Sequence, residues 1–475
     1  MSLFQCRFPD IGTGTALRVR HIHGFGCAHV FSLGLALSLG YGPTGSARAQ
    51  DVAAPSPAAE ASEGFVLTAL TIDGVSAYPL REFAPLYDQY LARQVGMGDL
   101  VRIAAAITDK YRSDGYFLAR AVTPPQTGEA GAARLRVYEG YVGAVTVTGP
   151  AAPAVERLLK DLEGRKPLRL ADLDRRLALA SDLPGVSLRS RIEPVLEDPA
   201  RHNLIVETEL RAVSGMIYLD NRGSKTAGPW QIYARGALNS AIAPGDQVAL
   251  SVLSVPEDPR EFTQVEAAYL MALEGGGRLR GSVSASRATH SANASNTWLG
   301  NESRAGGLRA SLPLRRGRGH ALWMSAGLDL RQVEQNWLAS GRYKDSLSVA
   351  RLSVHGDRTG KAGVSTGFAQ LSAGLDAFGA TDAPSWRQSR LDADGQFLKF
   401  NVQGSHYRDL GPKAGIYLAA DAQWSDESLL ASEEFTVGAL PYGRAYNYGE
   451  LSGDRGVAGL VELRLGWAVK QGPLT

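Results

Sequence analysis

The chain carries 475 residues, with 50 Lys and Arg against 48 Asp and Glu and only two cysteines. That length accommodates two or three domains and a large core. A formal charge of +2 gives no electrostatic case for nucleic acid, and no run of about 18 apolar residues is available to cross a membrane as a helix.

The N-terminus carries an export signal. Arg18 and Arg20 precede a ten-residue apolar run, Val30 to Leu39, and Ala47-Arg48-Ala49 follows as a small-residue cleavage site. Residues 1–49 are predicted to be a signal peptide, because the run is half the roughly 20 residues that a spanning helix needs. Cys6 and Cys27 both precede the cut. The mature chain is therefore predicted to contain no thiol, and with it no disulfide or thiolate-metal site. Loss of four Arg and one Asp leaves 46 basic and 47 acidic residues.

Residues 50–64 read as an Ala/Pro/Ser linker without apolar periodicity. A strand-like run, Phe65 to Ile72, closes at Asp73-Gly74. Two helical stretches follow, the second from Asp99 as N-cap to a stop at Asp114-Gly115. Strands at Phe117–Thr123 and Ala133–Tyr138 complete a β-α-α-β-β order, which repeats from Gly143 to about Leu210. Two α+β modules are predicted, 65–142 and 143–210.

From Arg211 onward the helical period gives way to period two. Leu322, Met324, Ala326, Leu328 and Leu330 alternate with Trp323, Ser325, Asp329 and Arg331. Ile416, Leu418, Ala420, Ala422 and Trp424 oppose Tyr417, Asp421 and Gln423. About twelve such segments recur, each near the ten residues of a tilted membrane strand. Connections after the fifth, ninth and eleventh strands are long (about 288–303, 376–395 and 425–456), and those after even strands are short, as at Glu274–Gly277 and Arg315–Gly319. Short turns on one side and long loops on the other are the outer-membrane barrel pattern. Residues 211–475 are predicted to form an antiparallel transmembrane β-barrel.

The phrases YRSDGYFLARAVTPPQ and LRVYEGYVGAVTVTG, and the loop PYGRAYNYGELSGDRG within 425–456, resemble two-partner secretion outer-membrane transporters, the TpsB family that includes haemolysin and haemagglutinin secretion-activation proteins. The resemblance implies two POTRA modules followed by a sixteen-stranded barrel. The loop is similar to that family's VRGY-type motif, which folds back into the lumen between the eleventh and twelfth strands. Arg444 takes the Arg position and Tyr446 the aromatic one, while Gly443 and Ala445 replace the usual Val and Gly; Leu451, Ser452, Gly453, Asp454 and Gly456 supply the LSGDRG phrase.

In the family that Arg pairs with an Asp on the thirteenth strand, which here would lie beyond Thr475. About four strands are thus expected to be missing at the C-terminus, with truncation the leading account. The family's N-terminal plug helix does not fit residues 51–64. The implied role is export of a large exoprotein. The POTRA modules would capture the unfolded client by β-augmentation, and a monomeric barrel would sit in outer-membrane lipid, with no cofactor. Three rivals stand beside it: a POTRA-barrel insertase, an outer-membrane enzyme such as a barrel lipase, and a non-functional remnant. No catalytic residue is singled out. Gly363-Val364-Ser365-Thr366-Gly367 matches the G-x-S-x-G elbow but begins an alternating strand. Gly223-Ser224-Lys225-Thr226 lacks phosphate-loop spacing. The five mature histidines (His202, His290, His320, His355 and His406) show no metal-ligand spacing.

Overall fold

The structure is a computed structural model that describes residues 64–127, 129–221, 223, 228–291, 298–337, 341–382, 386–446 and 449–466. The predicted signal peptide, the linker up to residue 63, Trp467 and Ser224-Lys225-Thr226 lie outside the described residues.

Two α/β modules come first. In module one, β1 (Ala69–Asp73), α1 (Met97–Ser113), β2 (Arg120–Val122) and β3 (Ala132–Tyr138) enclose a core of Leu67, Phe83, Leu100, Ile103, Ile107, Tyr111 and Leu135. Leu100, Ile103, Ala104, Ile107 and Tyr111 recur at three- and four-residue spacing, so α1 buries one stripe. The helix begins at Met97, two residues before the expected cap. Asp99 lies inside it and accepts the Gly96 N–H at 2.9 Å, satisfying a helix-end donor from the third helical position. Module two repeats the plan with β4 (Tyr141–Thr148), α2 (Ala152–Leu159), α3 (Leu170–Ser181), β5 (Val186–Val195) and β6 (Asp198–Leu210). In both, the first strand pairs parallel with the third and the third antiparallel with the second, giving orders β1-β3-β2 and β4-β6-β5.

Among the described residues beyond them, apart from a short ribbon in one loop, the strands form one antiparallel sheet of twelve, each paired with its neighbours in chain order. They are β7 (Val213–Asp220), β8 (Gln231–Asn239), β9 (Gln247–Ser254), β10 (Phe262–Ala272), β11 (Arg278–Ser291) and β12 (Trp298–Gly317). There follow β13 (His320–Trp337), β14 (Gly341–Gly360), β15 (Gly363–Gly374), β16 (Phe397–Gly411), β17 (Ala414–Ser425) and β18 (Gly456–Leu465).

The two faces differ in chemistry. Leu250, Val283, Leu308, Leu352, Leu371, Leu398, Phe400, Val461 and Leu463 are exposed on one face. The partners that alternate with them, such as Ser325, Arg351, Ser353, Gln370, Ser372, Lys399 and Gln423, are buried on the other. An apolar exterior around a polar interior is what a barrel in lipid requires.

Strand length departs from expectation at residues 288–303. Ladder pairing continues to Ser291 opposite Trp298, so most of the expected loop is strand. β12 and β14 each run 20 residues and β13 runs 18, about twice what the bilayer needs. Residues such as Arg287, Glu302 and Arg304 carry the ladder beyond the apolar band. Backbone pairing does not require apolar faces, so this polar extension does not show in the sequence period.

Candidate functional site

The connection from β17 to β18 is the long loop 426–455, and it lies against the polar face of the sheet. Its first part is apolar. Leu429 and Leu430 pack with Leu347 and Val349 of β14 and with Ala393 and Phe397. That small apolar cluster sets the next residues beside the strand interiors. A two-stranded ribbon, Phe435–Val437 with Leu451–Gly453, then shapes the loop into a hairpin.

Glu433 stands where the loop meets the sheet, 2% exposed. Its carboxylate faces three cations from three strands. Arg351 of β14 donates from Nη2 at 2.8 Å, Lys399 of β16 from Nζ at 2.6 Å, and Arg331 of β13 lies at 3.7 Å. The Glu433 carbonyl accepts Lys399 Nζ at 2.9 Å and Gln423 Nε2 at 3.0 Å. Arg351 in turn donates to Asp329 at 2.7 Å and to Ser372 at 2.9 Å. A buried charge survives only when paired and hydrogen-bonded throughout, and this one is.

A second loop joins the first. Arg390, between β15 and β16, donates to Asp454 at 2.5 Å and to Glu434 at 2.8 Å. Asp454 also accepts the Leu429 N–H at 2.9 Å, and Ser389 accepts the Ala431 N–H at 3.1 Å. The two loops therefore form one polar-laced unit over the interior.

The residues singled out in sequence fall in two places. Gly443, Arg444, Ala445 and Tyr446 form the hairpin tip, where Gly443 has φ +97°, a conformation that favours glycine. Arg444 pairs with Glu462 of β18 with 54% of its side chain exposed, and Glu462 also holds Arg464 at 2.7 Å. Tyr446 is 65% exposed, with its N–H on the Gly443 carbonyl at 2.9 Å. Leu451, Ser452 and Gly453 belong to the ribbon, Asp454 to the loop–loop contact, and Gly456 opens β18 beside the Phe435 ring. Arg444 and Asp454 are thus held by different partners.

Glu433 escaped sequence reasoning. A usable signal was present, since Arg351 and Lys399 both point inward among Ser and Gln and each needs a counter-charge.

At the other end of the strands, module two is clasped to the barrel turns. Asp182, at the end of α3 and 7% exposed, accepts a fork from Arg316 Nε and Nη2, both at 2.7 Å. Such a planar bidentate pair fixes orientation as well as distance. Arg278 donates to the Asp182 carbonyl at 2.9 Å and lies over the Trp323 ring. Arg175 donates to the Pro313 and Leu314 carbonyls at 3.0 and 3.1 Å, and Arg318 pairs with Asp174 at 2.9 Å.

The elbow-like Ser365 lies within β15, and its hydroxyl meets His406 Nδ1 of β16 at 2.9 Å across the ladder. In a hydrolytic triad the histidine faces its serine through Nε2 and its acid through Nδ1, so this pair is arranged as a cross-strand hydrogen bond.

A family model for the POTRA domain of ShlB type matches residues 65–140, and one for the haemolysin secretion/activation proteins ShlB/FhaC/HecB matches residues 204–473. The second match spans more than half of the chain, and the chain belongs to that family, whose members are outer-membrane pores that secrete a partner exoprotein. The heme/hemopexin transporter protein HuxB of Haemophilus influenzae strain 86-028NP is 22% identical over 388 residues, 79% of this chain and 67% of its own length. The outer membrane transporter CdiB of Escherichia coli O6:K15:H31 strain 536 is 24% identical over 448 residues, 87% of this chain and 71% of its own length. Two solved structures share the fold. CdiB from Escherichia coli has a TM-score of 0.69 at 20% identity, and CdiB from Acinetobacter baumannii 0.58 at 15%. Each comparison covers 87% of this chain and 78% of the other.

Proposed function

We propose that this chain is the pore-forming partner of a two-partner secretion system, a conduit and not a catalyst. Residues 211–475 sit in the outer membrane, and modules 65–142 and 143–210 hang in the periplasm once residues 1–49 have directed export and linker 50–64 has been passed. The modules take hold of the client's unfolded N-terminal secretion domain, and a large exoprotein of haemolysin or haemagglutinin type then threads outward through a monomeric barrel. Each module sheet has two strands with an outer edge (β1 and β2; β4 and β5). Backbone groups along such an edge can bind an extended peptide with little demand on its sequence. The loop segments Gly443–Tyr446 and Leu451–Gly456 are the part of the barrel that the passing client must displace.

The observation that supports this reading is the loop held against a polar interior, with peptide-binding modules clasped at the opposite mouth. Neither an isolated pore nor a receptor needs both. The test is a strain without such transporters, carrying a haemagglutinin-type exoprotein with or without this chain. Client in the culture supernatant only when the chain is present is expected. Equal release in both strains would sink the reading.

A further inference from the structure

The outward face of the sheet is not uniform. Val283, Gly306, Leu330 and Ser348 are successive partners across β11 to β14, and Gly306 leaves a gap in that row where the others carry side chains. One row nearer the long loops, Arg304 stands between Ala285 and Gln332. The small residues open a trough of about 580 Å³ on the surface that faces lipid, within the roughly 300–1,000 Å³ of a ligand site.

Phe378 forms the remaining wall. The segment after β15 folds back onto β14, where the Leu375 and Thr381 N–H groups donate to the Ser348 and Ser346 carbonyls at 2.7 and 2.8 Å. The Ser346 N–H donates to Thr381 Oγ1 at 2.8 Å, and Ser348 Oγ donates to the Ala377 carbonyl at 2.7 Å. These bonds hold Phe378 at φ +53°, 75% exposed beside the trough. A bulky residue keeps that conformation only where its surroundings impose it. So exposed a ring gains little from packing within the protein, and its apolar partner must come from the membrane.

Charge marks one end of the trough. Arg304 stands twelve positions before Arg316 on β12, and Arg316 belongs to the clasp with module two. That length of strand spans about 40 Å, or roughly 30 Å of depth at a barrel tilt of about 40°. This is one hydrocarbon thickness, so Arg304 lies at the membrane surface away from the modules. It is exposed and has no ion pair or hydrogen bond among the described residues. Other cations further out are answered, Arg287 by Glu302 at 3.9 Å and Arg342 by Glu334. A free guanidinium at the mouth of an apolar trough matches a phosphate joined to an acyl chain.

We propose that this trough binds the phosphorylated glycolipid of the outer leaflet, with one acyl chain against Val283, Leu330 and Phe378 and a phosphate on Arg304. The choice of leaflet rests on the export reading, which puts the modules in the periplasm. The site itself lies outside the pore and needs no client.

For the test, the full chain is purified in detergent and offered lipid A, phosphatidylglycerol or phosphatidylcholine, and native mass spectrometry reads the bound lipid. Lipid A is expected to bind in preference to both others. Arg304→Gln is expected to weaken it about fivefold, the contribution of one cation at a membrane surface. Gly306→Leu fills the trough, and its Cβ would meet nothing closer than the Ser282 carbonyl at 3.9 Å; it is expected to weaken binding at least as much. Lys361→Gln removes an exposed charge from the β14–β15 turn at the module end and is expected to change nothing. The barrel's heat-dependent shift on gels shows that each variant is folded. Should Gly306→Leu fail that check, Phe378→Ser is read in its place, with the same loss expected. Equal binding of either phospholipid, an equal loss from Lys361→Gln, or undiminished binding by the folded trough variants overturns the proposal. Failure of the export test would instead overturn the function proposed above and leave lipid binding at this trough standing.

Discussion

Two buried glutamates show how much a single side chain organises here. Glu139 of the YEG phrase is 1% exposed and accepts the Ser76 and Ala77 N–H groups at 2.8 Å, the Tyr111 hydroxyl at 2.7 Å, and the Ser76 hydroxyl. Burial alone pushes its carboxyl up. The hydrogen bonds from Ser76, Ala77 and Tyr111 outweigh that push and hold it below the usual 4.5. Because the folded value is depressed, the stabilisation is complete above about pH 4.5. It is lost as pH falls below that value and through the folded one. Glu139→Gln is expected to destabilise module one by about 1–3 kcal/mol at pH 7, because an amide cannot accept every bond that the carboxylate does. The difference from the parent should shrink in acid. Hydrogen exchange over residues 65–140 at pH 7 and pH 4 reads both effects, and an acid-independent difference would contradict the assignment. The neighbouring Gly140 explains the rest of that phrase, since a Cβ there would lie 2.3 Å from Leu118 Cβ.

Among elements, the contact between α3 and the β12–β13 turn determines whether the modules hang loosely or are fixed. The Asp182–Arg316 fork is nearly buried at both ends, and breaking one partner of such a pair costs about 3–5 kcal/mol. Asp182→Ala is expected to free module two, so that protease cuts near Arg211–Ala212 faster while the sheet stays protected. Equal cleavage in parent and variant would show that the remaining contacts, Arg175 on the Pro313 and Leu314 carbonyls, Arg318 with Asp174 and Leu179 beside Gly276, hold the module without the fork. The loop elements also mark where sequence reading ran out. Their existence was legible from length parity and from the LSGDRG phrase. Their fastening was not, because Arg390–Asp454 and Glu433–Arg351 join residues 64 and 82 positions apart and neither contact leaves a local period. The extension of β11 and β12 past residue 288 was hidden for a related reason. Pairing outside the lipid needs no apolar alternation.

Across the whole molecule, the repeated β-α-α-β-β modules and the twelve-stranded sheet were readable because each depends on a pattern that recurs locally: apolar stripes in helices and alternation in strands. The same alternation yields a prediction about depth. Leu352 faces outward and its neighbour Ser353 inward. Leu352→Arg is expected to cost about 2–4 kcal/mol near the bilayer midplane, whereas Ser353→Arg should cost less than half of that. Urea titration of folding into phospholipid bilayers compares them. Similar losses for both would mean that the outward face is not in lipid.

The cluster around Glu433 carries a consequence for how the molecule is built. Its cations come from β13, β14 and β16, and the loop that supplies the carboxylate follows β17 in the chain. No single hairpin can assemble it alone, because contacts so distant in sequence form only after the intervening loops have been closed. The loop therefore has nowhere to settle until those strands are in register. Its docking is a late, single event that reports a correctly laid wall. During biogenesis, protection of the loop against protease should appear after protection of the β13–β16 hairpins, as the final mark of a finished interior.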